Sequence, residues 1–191
     1  MYQNGYYKSA YLSCIENSLN SLGLSGYWLS QCNTNLNYTS ESFKRQVKQN
    51  LQDQYIQNWL AIINTNELYY NYRIFKYQFE FEQYLTILPA NLAHLFTKFR
   101  TLNHKLPVQE GRFLNIVRNE RLCMKCLKGE FGDEFHYMFC CDYFDDIRKE
   151  MLKKYYYKYP NTIKFRQLFS SHNKNTLLKL CNFVRNIMMS V

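Results

Sequence analysis

This chain offers no stretch approaching the roughly 20 apolar residues that a membrane-spanning helix needs; runs such as Trp59-Leu60-Ala61-Ile62-Ile63 stop far short. Its opening, Met1-Tyr2-Gln3-Asn4-Gly5, carries no basic segment and is followed by no apolar core, so a secretory leader is not expected. Repeats, linkers and low-complexity tracts are missing, and glycine (6) and proline (3) are sparse in 191 residues. There is also no Ser/His/Asp set, no glycine loop to cradle phosphates and no metal site with an open position. These absences predict a soluble, non-catalytic protein with no small-molecule substrate and no membrane role, intracellular and either nuclear or cytoplasmic. An odd number of cysteines, seven, fits a reducing compartment.

What is present is apolar and aromatic. Hydrophobic residues make up 47%, with 18 Tyr, 14 Phe and 2 Trp, enough for a real core in one domain or two small ones. The expected fold class is mostly α: a helical body with a small inserted Cys/His zinc knuckle. A first helix runs from about Tyr7 to Leu22 and stops at Gly23. Phe43, Val47, Leu51, Tyr55 and Trp59 then recur at i+4, predicting a long helix that Thr39 or Ser40 caps and that ends at Asn64-Thr65-Asn66. Two short helices are expected before Pro89, and another over Ala90–Leu102 with Leu92, Leu95, Phe96 and Phe99 inward. Pro107 and Gly111 read as breakers opening an extended run. Later helices are expected over Asp145–Tyr157, with Ile147, Met151, Leu152 and Tyr155 on one face, and over Lys174–Met189, burying Leu177, Leu180, Cys181, Val184 and Met188. By this reading residues 1–106 are a helical segment, 107–145 the basic run and knuckle, and 146–191 helices packing on the same body.

Cys123, Cys126, His136 and Cys141 form C-x2-C-x9-H-x4-C. Two thiols two residues apart can grip one ion, and a His and a Cys returning after a loop complete a tetrahedron. Zn²⁺ favours this soft four-ligand set, and a closed set leaves no place for a catalytic water. Cys140 is a rival fourth ligand, since H-x3-C also occurs; the short helix or strand expected from Asp133 to Phe139 favours Cys141. The alternative is a group of buried or free thiols. His136 is expected to give its second ring N–H to Asp133 or Glu134. Cys14, Cys32 and Cys181 read as single core thiols.

Net charge is +9, and Lys98–Lys128 holds +6 of it: eight cations against Glu110 and Glu120. A basic run beside a zinc module suits a phosphate backbone, with Lys98, Arg100, His104, Lys105, Arg112, Arg118, Arg121 and Lys125 as the expected contacts. An ordinary solvated surface is the alternative. Tyr143-Phe144-Asp145-Asp146 matches the Y-x-D-D of polymerases, but it is expected to open a helix with both carboxylates in the first turn, where the macrodipole favours them.

A longer string carries a resemblance. Phe99-Arg100-Thr101-Leu102-Asn103-His104-Lys105-Leu106-Pro107, Glu110-Gly111-Arg112-Phe113, Arg118-Asn119-Glu120-Arg121-Leu122-Cys123 and Gly132-Asp133-Glu134-Phe135-His136-Tyr137 resemble the tail that follows the polymerase core in animal non-LTR retrotransposon polyproteins. Leu22-Gly23-Leu24, Tyr27-Trp28-Leu29 and Phe43–Trp59 extend the likeness over nearly the whole chain. The resemblance implies a helical segment followed by a zinc knuckle with H-x4-C spacing, acting as an accessory that grips RNA or DNA with low sequence specificity, without the polymerase and endonuclease cores. It equally allows a non-functional relic. A different class of function, a zinc-stapled helical module whose many tyrosines meet a protein partner, stays open beside it.

Overall fold

The computed structural model describes residues 9–30 and 39–191. Among these residues the regular structure is helical, with no strand beyond one isolated antiparallel bridge, Leu122 to Phe131. No helix is long and apolar enough to cross a membrane. The chain forms two compact units, residues 1–62 and 63–191.

In the first unit α1 (Ala10–Ser21) starts where the Ser9 hydroxyl accepts from Leu12 N, and it stops before Gly23, whose φ of 70° a side chain would resist. Next come α2 (Ser25–Leu29) and α3 (Ser40–Thr65), the latter capped by Thr39 Oγ1 accepting from Ser42 N at 3.1 Å. Asn50 Nδ2 donates to the Leu22 carbonyl at 2.7 Å, and the Tyr27 ring meets Phe43 edge-on at 4.8 Å. The expected α3 stripe is only partly covered: Phe43, Val47 and Trp59 are half-buried, whereas Leu51 and Tyr55 are exposed. Strict i+4 spacing explains it, because each step overshoots a full turn by about 40° and four steps spiral about 160° around the helix. Cys14 is exposed and is no core thiol; Cys32 lies outside the described residues.

The second unit carries a 3₁₀ turn, Glu67–Tyr69, then α4 (Tyr72–Phe75), α5 (Tyr84–Ile87), α6 (Ala90–Arg100), α7 (Pro107–Phe113), α8 (Asp145–Met151), α9 (Lys154–Tyr157), α10 (Thr162–Phe169) and α11 (Lys174–Ser190). Helix α6 packs on α11, α10 on α4, and α8 on α11. Between them Phe75, Phe96, Phe99, Phe165 and Phe169 form a ring cluster, with Phe165 and Phe169 centroids 4.5 Å apart, above a floor of Leu177, Leu180, Cys181, Phe183, Val184 and Ile187. Met188, expected inside, is half-buried, and Ile187 takes the inward place.

Three expectations change. Pro107 starts a helix instead of ending one, since its fixed φ and missing N–H suit the first helical position. Gly111 lies within that helix because the Arg121 stem occupies its side-chain space; a Cβ there would sit 2.7 Å from Arg121 Cγ. The single helix expected over Asp145–Tyr157 breaks at Leu152, which turns extended (ψ 147°) and is buried, leaving Tyr155 exposed. Helix α10 has little signature in the sequence, because its apolar residues span barely two turns among Lys164, Arg166 and Gln167.

Candidate metal centre

A short hairpin builds the first half of the site. Cys123 N donates to Glu130 O at 2.7 Å and Gly132 N to Arg121 O at 2.9 Å, flanking the Leu122–Phe131 bridge. The hairpin returns beneath α7, where Val108 N donates to Gly132 O at 3.1 Å. Only glycine fits there: a Cβ on Gly132 would stand 2.8 Å from Pro107 Cγ and 3.2 Å from Cys123 N.

The second half is a helical turn that Asp133 caps, its Oδ1 accepting from His136 N at 2.8 Å. The turn is wide, a π-helical stretch over His136–Cys140, and Cys141 N donates to His136 O at 2.8 Å. A residue bonded five positions back lies nearly above its partner, so the π turn stacks Cys141 on the His136 side. Arg148 closes this turn from α8. Its buried guanidinium donates to the carbonyls of Met138 (2.8 Å) and Cys141 (2.7 Å), groups that a helix end would leave unpaired.

The four side chains converge. Cys123 Sγ and Cys141 Sγ are 3.7 Å apart, Cys126 Sγ and His136 Nε2 are 3.4 Å apart, and all four ligand atoms lie within 4.8 Å of one another. A tetrahedral ion with metal–S near 2.3 Å and metal–N near 2.1 Å would set neighbouring ligands about 3.6–3.8 Å apart. The cluster could therefore hold a metal ion, and Cys140 is not in it.

The surroundings fit such an ion. Lys125 N donates to Cys123 Sγ at 3.4 Å. His136 Nδ1 lies 2.8 Å from Glu130 Oε2, so the carboxylate behind the ring is Glu130, not Asp133 or Glu134. Those two are engaged elsewhere. Asn71 Nδ2 donates to Asp133 Oδ2 (3.0 Å) and Glu134 Oε2 (2.5 Å), and Glu134 Oε1 meets His104 Nε2 at 2.8 Å. Tyr137 O–H is buried without a hydrogen-bond partner among the described residues. Burial, then the Cys123 and Cys141 sulfurs, hold this phenol far above its usual range, which places an unused O–H donor beside the thiols. Burial also pushes the Cys141 thiol up to about 12. At Cys123 burial acts the same way, but hydrogen bonds to the sulfur, chiefly from the backbone N–H groups of Cys126 and Lys125, outweigh it and bring the thiol down to about 7.

The basic residues divide. Arg100 is 3% exposed; it donates to Phe169 O (2.6 Å), pairs with Glu82 (2.7 Å) and lies over the Phe75 and Tyr84 rings. His104 faces inward to Glu134. Both leave the expected phosphate-contacting set, because their polar atoms are spent inside the core. Lys105 and Arg112 are exposed, and Lys98, Arg118, Arg121 and Lys125 half-buried. Asp145 and Asp146 stand in the first turn of α8, with Asp145 paired to Lys149 at 2.5 Å. The chain matches no protein-family model, no curated protein and no solved structure.

Proposed function

We propose that this chain is a non-catalytic nucleic-acid-binding module, gripping an RNA or DNA backbone with little sequence preference, and that Cys123, Cys126, His136 and Cys141 hold one structural Zn²⁺. Three thiolates and an imidazole are the donor set zinc prefers, and a full set of protein ligands suits a staple. The motif string from Phe99 to Tyr137 supports an origin in the post-polymerase tail of a non-LTR retrotransposon.

The observation that carries this reading is unneutralised charge. Lys98, Lys105, Arg112, Arg118, Arg121 and Lys125 have no carboxylate partner among the described residues, while Lys76, Arg100, Lys128, Arg148 and Lys149 are paired. Unpaired cations crowded beside a stapled hairpin gain by releasing counterions from a phosphate backbone. A second reading, a protein-docking module, draws on Tyr77, Phe79 and Phe81, which are 49–64% exposed on one loop.

Salt separates the two. Filter binding of a single-stranded RNA should weaken about a hundredfold between 50 and 200 mM salt if roughly five phosphates are neutralised. Lys105→Glu with Arg112→Glu should remove most of that binding while the helical circular dichroism stays unchanged. RNA binding that is absent at 50 mM salt, or flat against salt, sinks the nucleic-acid reading.

A further inference from the structure

A cavity of about 350 Å³ opens between the Glu67–Tyr69 turn, helix α7 and the segment leading into the hairpin. Its wall includes Asn66, Glu67, Gln109, Arg112, Arg118 and Arg121. Three arginines against one glutamate leave the wall at net +2 (3 − 1). Neutral groups hold the guanidiniums in place. Arg121 donates from Nε to Ile116 O (3.0 Å) and from Nη1 to Val108 O (2.9 Å). Arg118 donates to Glu67 O (3.1 Å) and lies over the Phe131 ring, 4.9 Å from its centroid. Arg112 lies 4.7 Å from the Phe113 centroid. Carbonyls and rings orient these forks without neutralising them, so much of their donor capacity is unspent.

Gln109 is the second and independent sign. It is 1% exposed and lines the cavity, so its neutral side-chain amide stands at the wall beside the three guanidiniums. An amide brings two N–H donors and no charge, so it can serve a ligand rich in acceptors without adding to the positive field.

We propose that this cavity is a phosphate pocket that seats one backbone phosphate of a nucleic-acid strand, with Arg112, Arg118 and Arg121 as charged donors and the Gln109 amide as a neutral one. Planar forks converging from different directions suit a tetrahedral oxyanion with several acceptor oxygens. A nucleic-acid source fits the adjoining surface: beyond Arg118 the groove continues over Val117, Leu122 and Phe131, an apolar shelf for the attached sugar or base. The strand as source rests on the nucleic-acid reading above; the pocket rests on its own geometry.

The test uses the full, metal-loaded chain and a fluorescent ten-nucleotide uridine strand at 50 mM salt. Gln109→Leu removes no charge, so a fivefold or greater loss of affinity reports the pocket itself. Arg112→Gln should lose tenfold or more, and Lys98→Gln, outside the pocket, threefold or less. Gln109→Glu, nearly isosteric, should bind worse than Gln109→Leu, and thermal melts and zinc content identify any variant that fails to fold. Inorganic phosphate in the millimolar range should shift the side-chain NMR signals of Gln109 and Arg112. If the RNA binds with a steep salt slope but Gln109→Leu and Arg112→Gln match wild type, the pocket is wrong and the nucleic-acid reading survives. If the strand does not bind, or anionic phosphoinositide vesicles bind in its place, the nucleic-acid source is overturned. If phosphate also leaves both signals unmoved, the pocket falls with it.

Discussion

Glu130 sets a carboxylate oxygen 2.8 Å from Nδ1 of His136, and the opposite ring nitrogen, Nε2, faces Cys126 Sγ at 3.4 Å. A carboxylate behind a ligating imidazole fixes the tautomer that leaves Nε2 free for a metal. Glu130→Gln should lower metal affinity about 10–100-fold with no change in helix content. Competition with a chromophoric chelator measures this, and wild-type affinity in the variant would remove Glu130 from that role.

Cys140 and Cys141 are neighbours, yet only Cys141 joins the cluster. The π turn and the Arg148 contact to the Cys141 carbonyl aim one sulfur inward and leave the other aside. Elemental analysis of purified protein should find about one metal ion in wild type and in Cys140→Ser, and little in Cys141→Ser. Retention by Cys141→Ser with loss in Cys140→Ser would reverse the assignment.

Metal binding must displace protons, and their number should change with pH. Burial holds the Cys141 thiol at about 12, so below that value its proton competes with the ion; the Cys123 thiol, at about 7, adds a second proton only under more acid conditions. Apparent affinity should rise at least about tenfold per pH unit above pH 7.5, and more steeply below pH 7. Chelator competition across pH 6–9 checks the slope. Affinity independent of pH would mean that the thiols are already ionised.

His104 and Glu134 make a buried pair at 2.8 Å. Burial alone would raise the Glu134 carboxyl, but hydrogen bonds from His104 and Asn71 outweigh it and hold it below its usual range. A depressed carboxyl adds stability that is present above its ordinary value and is lost as pH falls through the folded one. His104→Leu should therefore cost about 3 kcal/mol at pH 7, and less toward pH 4, where the stranded Glu134 takes a proton. Asp133, held up by burial and by the Glu134 charge, has the opposite pH trend. Comparing variant and wild type at each pH in urea melts isolates the His104 contribution, and a cost that grows on acidification would contradict it.

Local chemistry was legible in the chain itself. Ligand spacing singled out Cys123, Cys126, His136 and Cys141, because a knuckle depends on residues close in sequence. Helix limits at Thr39, Gly23 and Pro89 also follow from neighbouring residues. Residues far apart in sequence decided the rest. Arg100 reads as one more surface cation until Glu82 and the Phe169 carbonyl, 69 residues away, draw it into the core. Sequence neighbours point to Asp133 or Glu134 as the partner of His136, yet the hairpin brings Glu130 behind the ring while Asn71, more than 60 residues distant, claims Asp133 and Glu134. Composition and spacing determine which side chains can ligate, cap or carry charge; tertiary packing decides which are spent inside and which are left to meet a ligand, because burial lets no polar group go unpaired without cost.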